Sequence, residues 1–572
     1  MRYHLLACDY DGTIAKHGAV EPDTIAALHQ VSESGRRVVL VTGRDLPDLL
    51  RVLTDASLFD WIVAENGGVL YHPETREEQL LAPEPSNELV KLLRQRGVQP
   101  LSVGRTIIAT WEPNENIVLT AIRELGLELQ VIFNKGAVMV LPASVNKRSG
   151  LSALLGKISI SPHNCVGVGD AENDHAFLAL CEFSVAVANA LPALKQSVDW
   201  VATLPHGEGV RELVNHLLTN DLQSADLQPR RHRVTLGSFG DGAEFTIPAV
   251  GPLGLVAGAS GAGKTTATLA ILEQLAAREY QLCIIDPEGD YDSFPSAIVV
   301  GTADHPPDMA QIPKLLMQPT THVVINLLAI PVADRPRFFM RLLMELQQFR
   351  GTYGHPHWIA VDEAHHVLDA AFEPTVSPLS ADLESMLFVT VHPQRLHATL
   401  LSRIDFALTI GSEARSTLSA LVPELDTDEG TGDASDQAIG TDRLVLWQRD
   451  CPRVVRQVTL LASTARQRRH RRKYAKGELG PDKSFYFRGV DSKLNLRAQN
   501  LVAFNELGAG VDDETWLFHL ARGDYSKWIR EAIKDDSLAD KVAEVETLNS
   551  VSAQETRDHI RELIESIYTA PA

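Results

Sequence analysis

Short apolar runs alternate with amphipathic stretches over residues 1 to about 205, and this alternation defines the first module of the chain. Tyr3–Cys8 and Arg37–Thr42 are apolar runs of strand length. Helical spacing follows each run, over Thr24–Ser34 and again from Asp45 onward. This strand-helix-strand-helix order predicts a parallel sheet that is covered by helices on both faces.

The pattern changes between about residues 75 and 145. Strand candidates occur at Thr106–Thr110, Leu127–Phe133 and Ala137–Leu141, with one helix candidate over Asn114–Leu125. These elements predict a small α+β insertion within the first domain.

The rest of the chain divides at two changes of composition. Residues 217–232 are polar and end in Pro229-Arg230-Arg231-His232, which is typical of a linker. A second α/β module follows. Beyond a basic run over Arg466–Lys476 the composition becomes aromatic, acidic and helical in spacing. We therefore predict two α/β domains and a mainly helical C-terminal region, at residues 1–215, 229–465 and 466–572.

Composition narrows the class of protein. The 572 residues suffice for several domains, and five scattered cysteines fit neither a disulfide framework nor paired zinc ligands. There is no apolar run long enough to span a bilayer and no leader after Met1, so we expect a cytoplasmic protein without a membrane partner. The net charge of -21 argues against a surface that binds nucleic acid throughout, but leaves a local basic patch open.

The first module carries candidate residues for phosphoryl transfer at its first strand end. Asp9 follows the first apolar run, at the position where open α/β sheets bind their ligands. A carboxylate there can attack phosphorus. Asp11, two residues further on, can protonate the leaving oxygen and then activate the hydrolytic water.

The charge on the transferring oxygens requires a hydroxyl, a lysine and a divalent metal. Thr42 ends the next strand with a hydroxyl, and Lys147 heads a helix after the insertion. Asp170 and Asp174 end a later strand with the hard oxygen ligands that suit Mg²⁺.

This ordered set resembles the haloacid dehalogenase (HAD) phosphatases, and within them the Cof-like sugar-phosphate and phosphoglycolate phosphatases, over about residues 1–205. The resemblance implies a Rossmann-like domain in which the insertion is a cap that chooses the substrate. It also implies that Asn66, in Glu65-Asn66-Gly67-Gly68, belongs to the site. The implied nucleophile, acid/base, phosphate-binding hydroxyl and neutralising lysine are Asp9, Asp11, Thr42 and Lys147. The implied metal-site residues are Asp9, Asp11, Asp170 and Asp174.

The second module opens with a nucleotide-binding motif, since Gly258–Thr265 fits the P-loop pattern in every fixed position. The motif follows the apolar run Leu253–Val256 and precedes helical spacing over Thr265–Arg278, as the hypothesis requires. Backbone N–H groups would cradle the phosphates of ATP, with Lys264 on the terminal phosphates and Thr265 on Mg²⁺. The predicted ATP-binding residues are Gly258, Ser260, Gly261, Gly263, Lys264, Thr265 and Thr266.

A later apolar run, His357–Val361, ends in two carboxylates. Asp362 is placed to hold the metal, and Glu363 to polarise the attacking water. The glutamate favours ATP hydrolysis over phosphoryl transfer to a substrate hydroxyl. A further strand from Cys283 ends in the acidic turn Asp286–Tyr291.

Together with a strand over Arg233–Gly237, this module resembles the HerA/FtsK superfamily of RecA-like motor ATPases, over about residues 230–462. The resemblance implies a homo-oligomeric, hexameric ring in which an arginine of the neighbouring subunit completes each ATP site. Arg403 and Arg395 are the candidates. Where the family has a polar strand end, this chain has Thr390-Val391-His392-Pro393, which puts the coupling of hydrolysis to movement in question.

A histidine pair, the basic run and two aromatic segments are assigned no catalytic role. His365 and His366 lack additional metal ligands at useful spacing, so we interpret them as packing or solvated residues. We interpret the basic run as a solvated linker or helix face, with nucleic-acid or inter-subunit contact as alternatives. The aromatic segments Phe485–Arg488 and Trp516–His519 are interpreted as core or docking surface, with no chemistry assigned.

Two phosphate-handling modules in one chain favour a Mg²⁺-dependent phosphatase that its fused ATPase assembles or regulates. Its substrate would be a phosphorylated small molecule or nucleotide, and ATP the second substrate. Three alternatives stay open: a DNA-translocating ring with an end-processing phosphatase, used in defence against foreign DNA; a bifunctional kinase-phosphatase, which Glu363 disfavours; and a nucleotide-gated assembly scaffold. The sequence leaves the phosphatase substrate, the oligomer number and the role of the C-terminal region undecided.

Overall fold

The chain forms two compact units, Met1–Ala465 and Arg466–Ala572. The computed structural model of the protein describes residues 1–53, 55–134, 136–223, 232–369, 383–411, 414–421, 444–462, 479, 483–533, 535–548 and 552–568. No helix within these ranges is long and apolar enough to cross a membrane.

The strands and helices follow in chain order. The strands are β1 (Leu5–Cys8), β2 (Ala15–Lys16), β3 (Ala19–Val20), β4 (Arg37–Val41), β5 (Trp61–Ala64), β6 (Val69–His72), β7 (Glu77–Leu80), β8 (Ser102–Val103), β9 (Ile108–Trp111), β10 (Leu129–Asn134), β11 (Ala137–Pro142), β12 (Cys165–Gly169), β13 (Phe183–Ala186), β14 (Trp200–Val201), β15 (Arg233–Phe239), β16 (Glu244–Pro248), β17 (Leu253–Gly258), β18 (Leu282–Asp286), β19 (Ala297–Val300), β20 (His322–Asn326), β21 (Trp358–Val361), β22 (Met386–Thr390), β23 (Phe406–Ile410), β24 (Leu444–Gln448), β25 (Val455–Leu460), β26 (Phe485–Phe487) and β27 (Leu496–Ala498). The helices are α1 (Pro22–Glu33), α2 (Leu46–Val52), α3 (Asn87–Gln95), α4 (Glu115–Glu124), α5 (Lys147–Ile158), α6 (His175–Leu178), α7 (Pro192–Ser197), α8 (His206–Asn220), α9 (Lys264–Ala277), α10 (Ile312–Leu316), α11 (Arg335–Tyr353), α12 (Ala398–Leu401), α13 (Ala414–Leu421), α14 (Leu501–Gly510), α15 (Asp513–Ala521), α16 (Asp524–Trp528), α17 (Asp536–Glu546) and α18 (Ala553–Tyr568).

The first module is built on an eight-stranded sheet in the order β14-β13-β12-β1-β4-β5-β6-β7. Its strands from β14 to β5 run parallel, and β6 and β7 are antiparallel additions. Every residue of β1 and β5 is buried, as expected for strands covered on both faces. Helix α1 packs on α8, and α5 packs on β5 and β6. The predicted parallel α/β sheet is confirmed.

The insertion is a four-stranded antiparallel sheet in the order β10-β11-β9-β8, with α3 and α4 packed on it. Its own small core includes Leu89, Val118 and Val140. It begins at α3 and therefore later than residue 75, because β7 pairs with β6 and belongs to the larger sheet. Three of the four β7 residues are exposed, so this edge strand carries no apolar pattern that a sequence would show. Helix α3 was not predicted.

The second module has an eleven-stranded sheet in the order β16-β15-β25-β24-β23-β17-β22-β21-β18-β20-β19. The strands from β23 to β19 run parallel, and the other four are antiparallel. Neighbouring residues of β17 lie in different cores, Leu255 in one and Val256 in the other, so both faces of the sheet are covered. The predicted α/β P-loop domain is confirmed.

The described part of the smaller unit contains the β26-β27 hairpin, followed by α14 to α18. Its core is aromatic and includes Phe487, Phe504 and Trp516. The mainly helical prediction is confirmed, although the hairpin was not foreseen. The basic run Arg466–Lys476 lies outside the described residues.

Candidate active sites

Lys147 and three aspartates meet where the parallel strands of the first sheet end. Asp9 follows β1 and Asp170 follows the adjacent β12. The Nζ of Lys147, at the start of α5, donates to Asp9 Oδ1 at 2.5 Å and to Asp174 Oδ1 at 2.6 Å. All four side chains are buried, so the lysine charge acts on these carboxylates with little screening by water.

The loop after β12 holds the two later aspartates in place. Asp174 Oδ2 accepts from the backbone N–H groups of Asp170 and Ala171, both at 2.8 Å. The hydroxyl of Thr13 donates to Asp9 Oδ2 at 3.0 Å. One oxygen from each of the three aspartates lies within 4.8 Å of the others. Clustered carboxylate oxygens are the donors that Mg²⁺ prefers.

The three aspartates of this site carry more negative charge than Lys147 can neutralise. Burial and the neighbouring Asp174 carboxylate raise the pKa of Asp9 to about 7, while Lys147 acts in the opposite direction. Burial lowers the pKa of Lys147, but Asp174 and Asp9 outweigh that effect and raise it. Three buried carboxylates around one lysine leave excess negative charge. The residues therefore fit a bound divalent cation.

Asp11 lies two residues after Asp9, but its carboxylate contacts Arg44, whereas that of Asp9 contacts Lys147. Arg44 donates to both of its oxygens, at 2.6 and 2.7 Å. The side chain of Asp11 is 43% exposed, so the predicted acid/base faces the open side of the site. The buried Thr42 accepts from Arg44 N at 3.1 Å. No role was predicted for Arg44; its place two residues after Thr42 in the sequence was the available signal.

Glu65 and Asn66 connect the core sheet, the cap and the loop after β12. Glu65 is fully buried and accepts from the N–H groups of Arg105 at 2.9 Å and Thr106 at 2.6 Å, and from the Thr106 hydroxyl at 2.9 Å. Asn66 Oδ1 accepts from Asn173 Nδ2 at 3.1 Å. The predicted Asn-Gly element therefore anchors the cap beside the aspartate cluster.

The P-loop lies between β17 and α9, as predicted. Gly261 and Gly263 have φ values of +78° and +101°, which residues with a Cβ rarely adopt. Lys264 is buried, and its Nζ donates to Ala259 O of the same loop at 3.2 Å. Thr265 is half-buried in the first turn of α9. The remaining predicted ATP-binding residues occupy the same segment: Gly258, Ser260 and Thr266.

Carboxylates crowd the strand ends beside the P-loop. Asp362 and Glu363 follow β21, and Asp286 ends the adjacent β18. Burial and the Glu363 carboxylate raise the pKa of Asp362 well above its usual value, and burial raises the pKa of Asp286 to about 7. Asp286 also accepts from the N–H groups of Gly289 at 2.7 Å and Tyr291 at 2.9 Å. This excess of negative charge suits Mg²⁺ bound together with ATP.

His365 contacts the glutamate that sequence analysis assigned to the attacking water. Its Nδ1 lies 3.4 Å from Glu363 Oε2 and 3.1 Å from Thr390 Oγ1, at the end of β22. Burial lowers the pKa of His365 to about 4, so the ring is neutral at neutral pH. Because β22 lies between β17 and β21, the histidine links the strand end next to the P-loop to Glu363. Its position two residues after the glutamate was the missed signal.

The two arginine-finger candidates lie at opposite ends of the strands of the second sheet. Arg395 follows β22, on the P-loop side, and forms an ion pair with Asp369. Arg403 precedes β23, at the amino edge, and donates to Leu383 O at 3.4 Å. The role of either residue in a neighbouring subunit stays a prediction.

The two modules of the larger unit meet in a buried polar network centred on Glu182, which precedes β13 and is 7% exposed. Glu182 accepts from Arg2 at 2.6 Å and from the hydroxyl of Tyr280 at 3.2 Å, and its Oε2 lies 2.7 Å from His163 Nδ1. The His163 ring stacks on Tyr280 with centroids 3.9 Å apart. Its Nε2 lies 2.8 Å from Arg278 O. This network joins the HAD-like module to the segment between α9 and β18.

His232, just before β15, adds a second charged link. Its Nδ1 lies 3.3 Å from Glu182 Oε1 and its Nε2 lies 3.0 Å from Asp199 Oδ1. Burial lowers the pKa of His232, but hydrogen bonds to the two carboxylates outweigh it and raise the pKa. Both nitrogens face carboxylates, so both bonds form fully only when the ring is an imidazolium.

Asn164 makes a further contact between the modules. Its Nδ2 donates to Gly354 O at 3.1 Å, and its Oδ1 lies 3.3 Å from His357 Nε2. A Cβ at Gly354, where φ is +81°, would lie 2.4 Å from Asn164. His357 Nδ1 accepts from Gln281 N at 2.7 Å, which assigns the proton to Nε2. Only glycine at position 354 permits this close approach.

All these contacts involve the amino ends of parallel strands. Asn164 precedes β12, Gln281 precedes β18 and His357 precedes β21. The amino ends of the parallel strands in one sheet therefore face those in the other sheet. Both candidate sites lie at the carboxyl ends of the parallel strands. Each site therefore lies at the end of its sheet that is opposite to the contact between the modules.

Two families match the chain in the same order as its modules. Haloacid dehalogenase-like hydrolases match residues 6–121 and 123–214. The central domain of the helicase HerA matches residues 254–348.

Individual relatives match the first module over nearly their whole length. A phosphoglycolate phosphatase of Methanothermobacter thermautotrophicus is 31% identical over 222 residues, covering 37% of this chain and 98% of the relative. Another, from Haloarcula marismortui, is 31% identical over 36% of this chain and 95% of its own length. A solved haloacid dehalogenase-like hydrolase from Bacteroides thetaiotaomicron covers 38% of this chain and 99% of its own, at 20% identity and a TM-score of 0.33. The chain therefore belongs to the haloacid dehalogenase-like hydrolase family as an enzyme with a phosphatase module of that family, and this module is followed by a P-loop module that matches the central domain of the helicase HerA.

Proposed function

We propose that this protein is a Mg²⁺-dependent phosphomonoester hydrolase whose turnover is set by the nucleotide state of its HerA-type module. The supporting observation is the buried network around Glu182, which joins strands that end at the phosphatase site to elements that end at the ATP site. ATP is the second substrate. A cytoplasmic location and a ring-shaped homo-oligomer remain part of the proposal.

Asp9 is the proposed nucleophile of the phosphatase. Its Oδ1 accepts from Lys147 and its Oδ2 from Thr13, so both oxygens have a defined direction before substrate binds. Mg²⁺ bound among Asp9, Asp170 and Asp174 would neutralise charge on the phosphoryl oxygens. Lys147 stabilises the same charge from the protein side.

Asp11 is the proposed acid and base, and Arg44 its positioning residue. The bidentate contact holds the Asp11 carboxylate at the open side of the site, where the leaving oxygen of a substrate would lie. Asp11 enters this step as the carboxylic acid, gives its proton to that oxygen as the phosphorus–oxygen bond breaks, and is left as the carboxylate that Arg44 holds. It then accepts a proton from the water that cleaves the aspartyl-phosphate, while the Thr42 hydroxyl and nearby N–H groups hold the phosphate.

A small phosphorylated carboxylic acid of the phosphoglycolate type is the proposed substrate class. The relatives named above are phosphoglycolate phosphatases, and they match this module with its cap included. The cap reaches the phosphate side of the site, because a Cβ at Gly43 would lie 3.6 Å from Met139 Sδ on β11. A phosphate-release screen of phosphoglycolate, sugar phosphates and nucleotides tests this choice.

Two elements connect the ATP site to the network around Glu182. Helix α9 starts at the P-loop and its 14 residues span about 21 Å, ending next to Arg278, whose carbonyl oxygen faces His163. Strand β21 lies between His357 and Asp362. A nucleotide-dependent shift of either element would move the start of β12, and β12 leads into Asp170 in the phosphatase site.

The test is the phosphatase rate of the full chain without nucleotide, with ADP and with a non-hydrolysable ATP analogue. We expect nucleotide to change kcat or KM by about fivefold or more, the lower end of typical coupling energies. Lys264→Ala should remove this response. His163→Ala should also remove it, while phosphatase and ATPase rates each stay within about twofold, because His163 lies at neither site.

The exposed His29 supplies the matched control, since His29→Ala removes the same side chain away from the network. Phosphatase rates that ignore nucleotide in the unmodified protein would contradict regulation but leave the phosphatase intact. Absence of any Mg²⁺-dependent phosphate release would contradict the first half of the proposal.

The alternatives make different demands. DNA translocation would involve the basic run, which lies outside the described residues, and DNA-stimulated ATP hydrolysis with nucleotide-insensitive phosphatase rates would favour it. A kinase-phosphatase would pass a phosphoryl group between its two sites. This fits poorly with two sites that each lie at the end of a sheet opposite to the contact between the modules. A scaffold would bind ATP and assemble without affecting the phosphatase.

A further inference from the structure

A pocket of about 490 Å³ opens on the C-terminal unit, outside both catalytic modules. Its volume lies within the range of sites for small molecules. The two aromatic segments to which sequence analysis assigned no chemistry both line it. Its aromatic residues are Phe485, Tyr486, Phe518 and Trp528, and its charged residues are Lys483, Arg488, Arg522, Asp524, Lys527 and Glu531.

The floor of the pocket is aromatic. Phe485 and Trp528 are 6% and 7% exposed, and their ring centroids lie 5.4 Å apart. The indole N–H of Trp528 donates to Lys483 O at 2.9 Å, so its polar atom is satisfied inside the protein. Tyr486 and Phe518, both half-buried, form the walls. Such a floor accepts a flat, weakly polar group.

The rim is cationic in a chain with a net charge of -21. Lys483, Arg488 and Lys527 are exposed, and among the described residues no carboxylate forms an ion pair with any of them. Glu531 also lines the pocket and supplies one negative charge. Three cations converging on one opening favour a ligand with more than one negative charge.

The remaining carboxylate of the lining is already neutralised. Asp524 accepts from Arg522 Nε at 3.2 Å, and its Oδ2 lies 2.8 Å from His519 Nδ1. The guanidinium of Arg522 lies 5.1 Å from the centre of the Phe518 ring. Asp524 therefore orients the lining and does not cancel the charge of the rim.

His519 makes the rim rigid. It is 5% exposed, and its Nε2 accepts from the N–H groups of Arg488 at 3.0 Å and Gly489 at 3.4 Å. Gly489 has φ of +67°, and a Cβ there would lie 2.7 Å from Thr515 Oγ1. Arg488 is thus held in place, with its guanidinium 5.3 Å from the centre of the Tyr486 ring. A site arranged before binding loses less entropy when the ligand arrives.

An unusual backbone element completes the wall. Residues Ile529–Ile533 form a π-helical turn, and Glu531 and Ala532 from this turn line the pocket. Such turns are rare and are frequent at functional sites. The turn follows α16 directly and places Glu531 one turn beyond Lys527.

We propose that this pocket binds a free nucleotide, with the base on the aromatic floor and the phosphates on Lys483, Arg488 and Lys527. Base-aromatic stacking and cation-phosphate contacts are the two interactions that the lining offers together. An inorganic anion would leave the aromatic floor without a partner, and an apolar ligand would leave the three cations without one. The C-terminal unit is then a nucleotide-binding module, a function beyond those of the two catalytic modules.

The test uses the full chain carrying Lys264→Ala and Asp9→Asn, so that the P-loop is disabled and phosphate release is blocked. Calorimetric titration with AMP, ADP, GMP, adenosine and pyrophosphate should show binding of the nucleotides that the pocket residues control. Adding Arg488→Gln and Lys527→Gln together should weaken nucleotide binding about tenfold or more. Phe518→Leu should weaken nucleotide but not pyrophosphate binding.

Arg530→Gln is the matched control, because Arg530 lies three residues from Lys527 but pairs with Asp540 outside the pocket. Unchanged near-ultraviolet circular dichroism in every variant checks that the unit stays folded. The proposal is overturned by nucleotide affinities that the pocket variants leave unchanged, by pyrophosphate binding as tightly as ADP, or by pocket-dependent binding of oligonucleotides or acidic peptides alone.

Discussion

The two candidate sites of the larger unit occupy equivalent places, at carboxyl ends of parallel strands, but they differ in how their charges are arranged. In the phosphatase site Lys147 touches two carboxylates directly. In the ATP site Lys264 donates to a carbonyl oxygen of its own loop, and Asp362 lies on a strand two places away in the sheet.

The two lysines are therefore held differently, one by the carboxylates of its site and the other by the backbone of its own loop. In the phosphatase site Lys147 already contacts the proposed nucleophile Asp9 and the carboxylate of Asp174. Lys264 donates to Ala259 O, and its ammonium group has further N–H donors for the phosphates of a nucleotide. Substitutions should therefore act on chemistry alone in the first site, and separate nucleotide binding from hydrolysis in the second.

The largest expected effect is at the phosphatase site. Asp9→Asn should reduce Mg²⁺-dependent hydrolysis of an aryl phosphate by about a thousandfold or more, because it removes the nucleophile. ATP hydrolysis should stay within about twofold, since the P-loop lies in another module. Asp23→Asn, at an exposed position, is the control. Full phosphatase activity in the Asp9 variant would refute the aspartyl-phosphate mechanism.

The next effect separates binding from hydrolysis in the ATP site. Lys264→Ala should lose ATP binding, whereas Glu363→Gln should bind ATP but hydrolyse it about a hundredfold more slowly. Nucleotide titrations and steady-state rates distinguish the two. Light scattering with ATP should show an oligomer for Glu363→Gln, and a strictly monomeric variant would exclude the ring.

A smaller effect is expected where the cap joins the phosphatase core. Glu65→Ala removes the acceptor of three hydrogen bonds in a buried position and should destabilise the HAD module by about 2–4 kcal/mol. We expect KM for the phosphatase to rise more than kcat falls, because the cap loses its anchor. ATP hydrolysis should not change.

Glu84→Ala is the matched control for this variant, since the mostly exposed Glu84 pairs with the same Arg105 at 3.3 Å. Thermal unfolding and phosphatase kinetics on both variants make the comparison. Equal, small effects of the two substitutions would mean that Glu65 does not anchor the cap.

The smallest effect concerns the contact between the modules. The folded pKa of His232 is raised above its usual value, so its stabilising contribution is complete below about pH 6.5 and declines as pH rises through the folded pKa. The groups that face it are Glu182 and Asp199, with Arg2 and His163 on the same carboxylate network.

We therefore expect the apparent unfolding midpoint to fall by about 2–4 °C more between pH 6 and pH 8.5 in the unmodified protein than in His232→Gln. His29→Gln, at an exposed position, should keep the full pH dependence. Identical pH profiles for all three proteins would show that His232 does not link the modules through its charge.

Local patterns predicted the elements that carry the chemistry. The apolar run before Asp9 and the glycine spacing around Lys264 each specify a strand end and a phosphate-binding turn within a few residues. The structure has both at those positions, with β1 and β17 leading into them. These features could be predicted because strand burial and turn geometry depend on neighbouring residues.

Other features depend on pairing across long sequence separations. β7 has little apolar character and is a strand only because it pairs with β6. Arg44 donates to Asp11 across 33 positions, and His365 reaches Thr390 across 25. Neither contact follows from the spacing of the motifs.

By itself, then, the sequence determined the two phosphate-binding motifs, the order of the modules and the fold class of each. Only the tertiary structure decided that the two sheets meet at their amino edges, that Glu182 joins them, and that Phe485 and Trp528 form the floor of a pocket. The physical reason is that motif chemistry is encoded in short segments. Domain contacts and pockets are made by side chains from distant segments, whose positions depend on sheet order and packing.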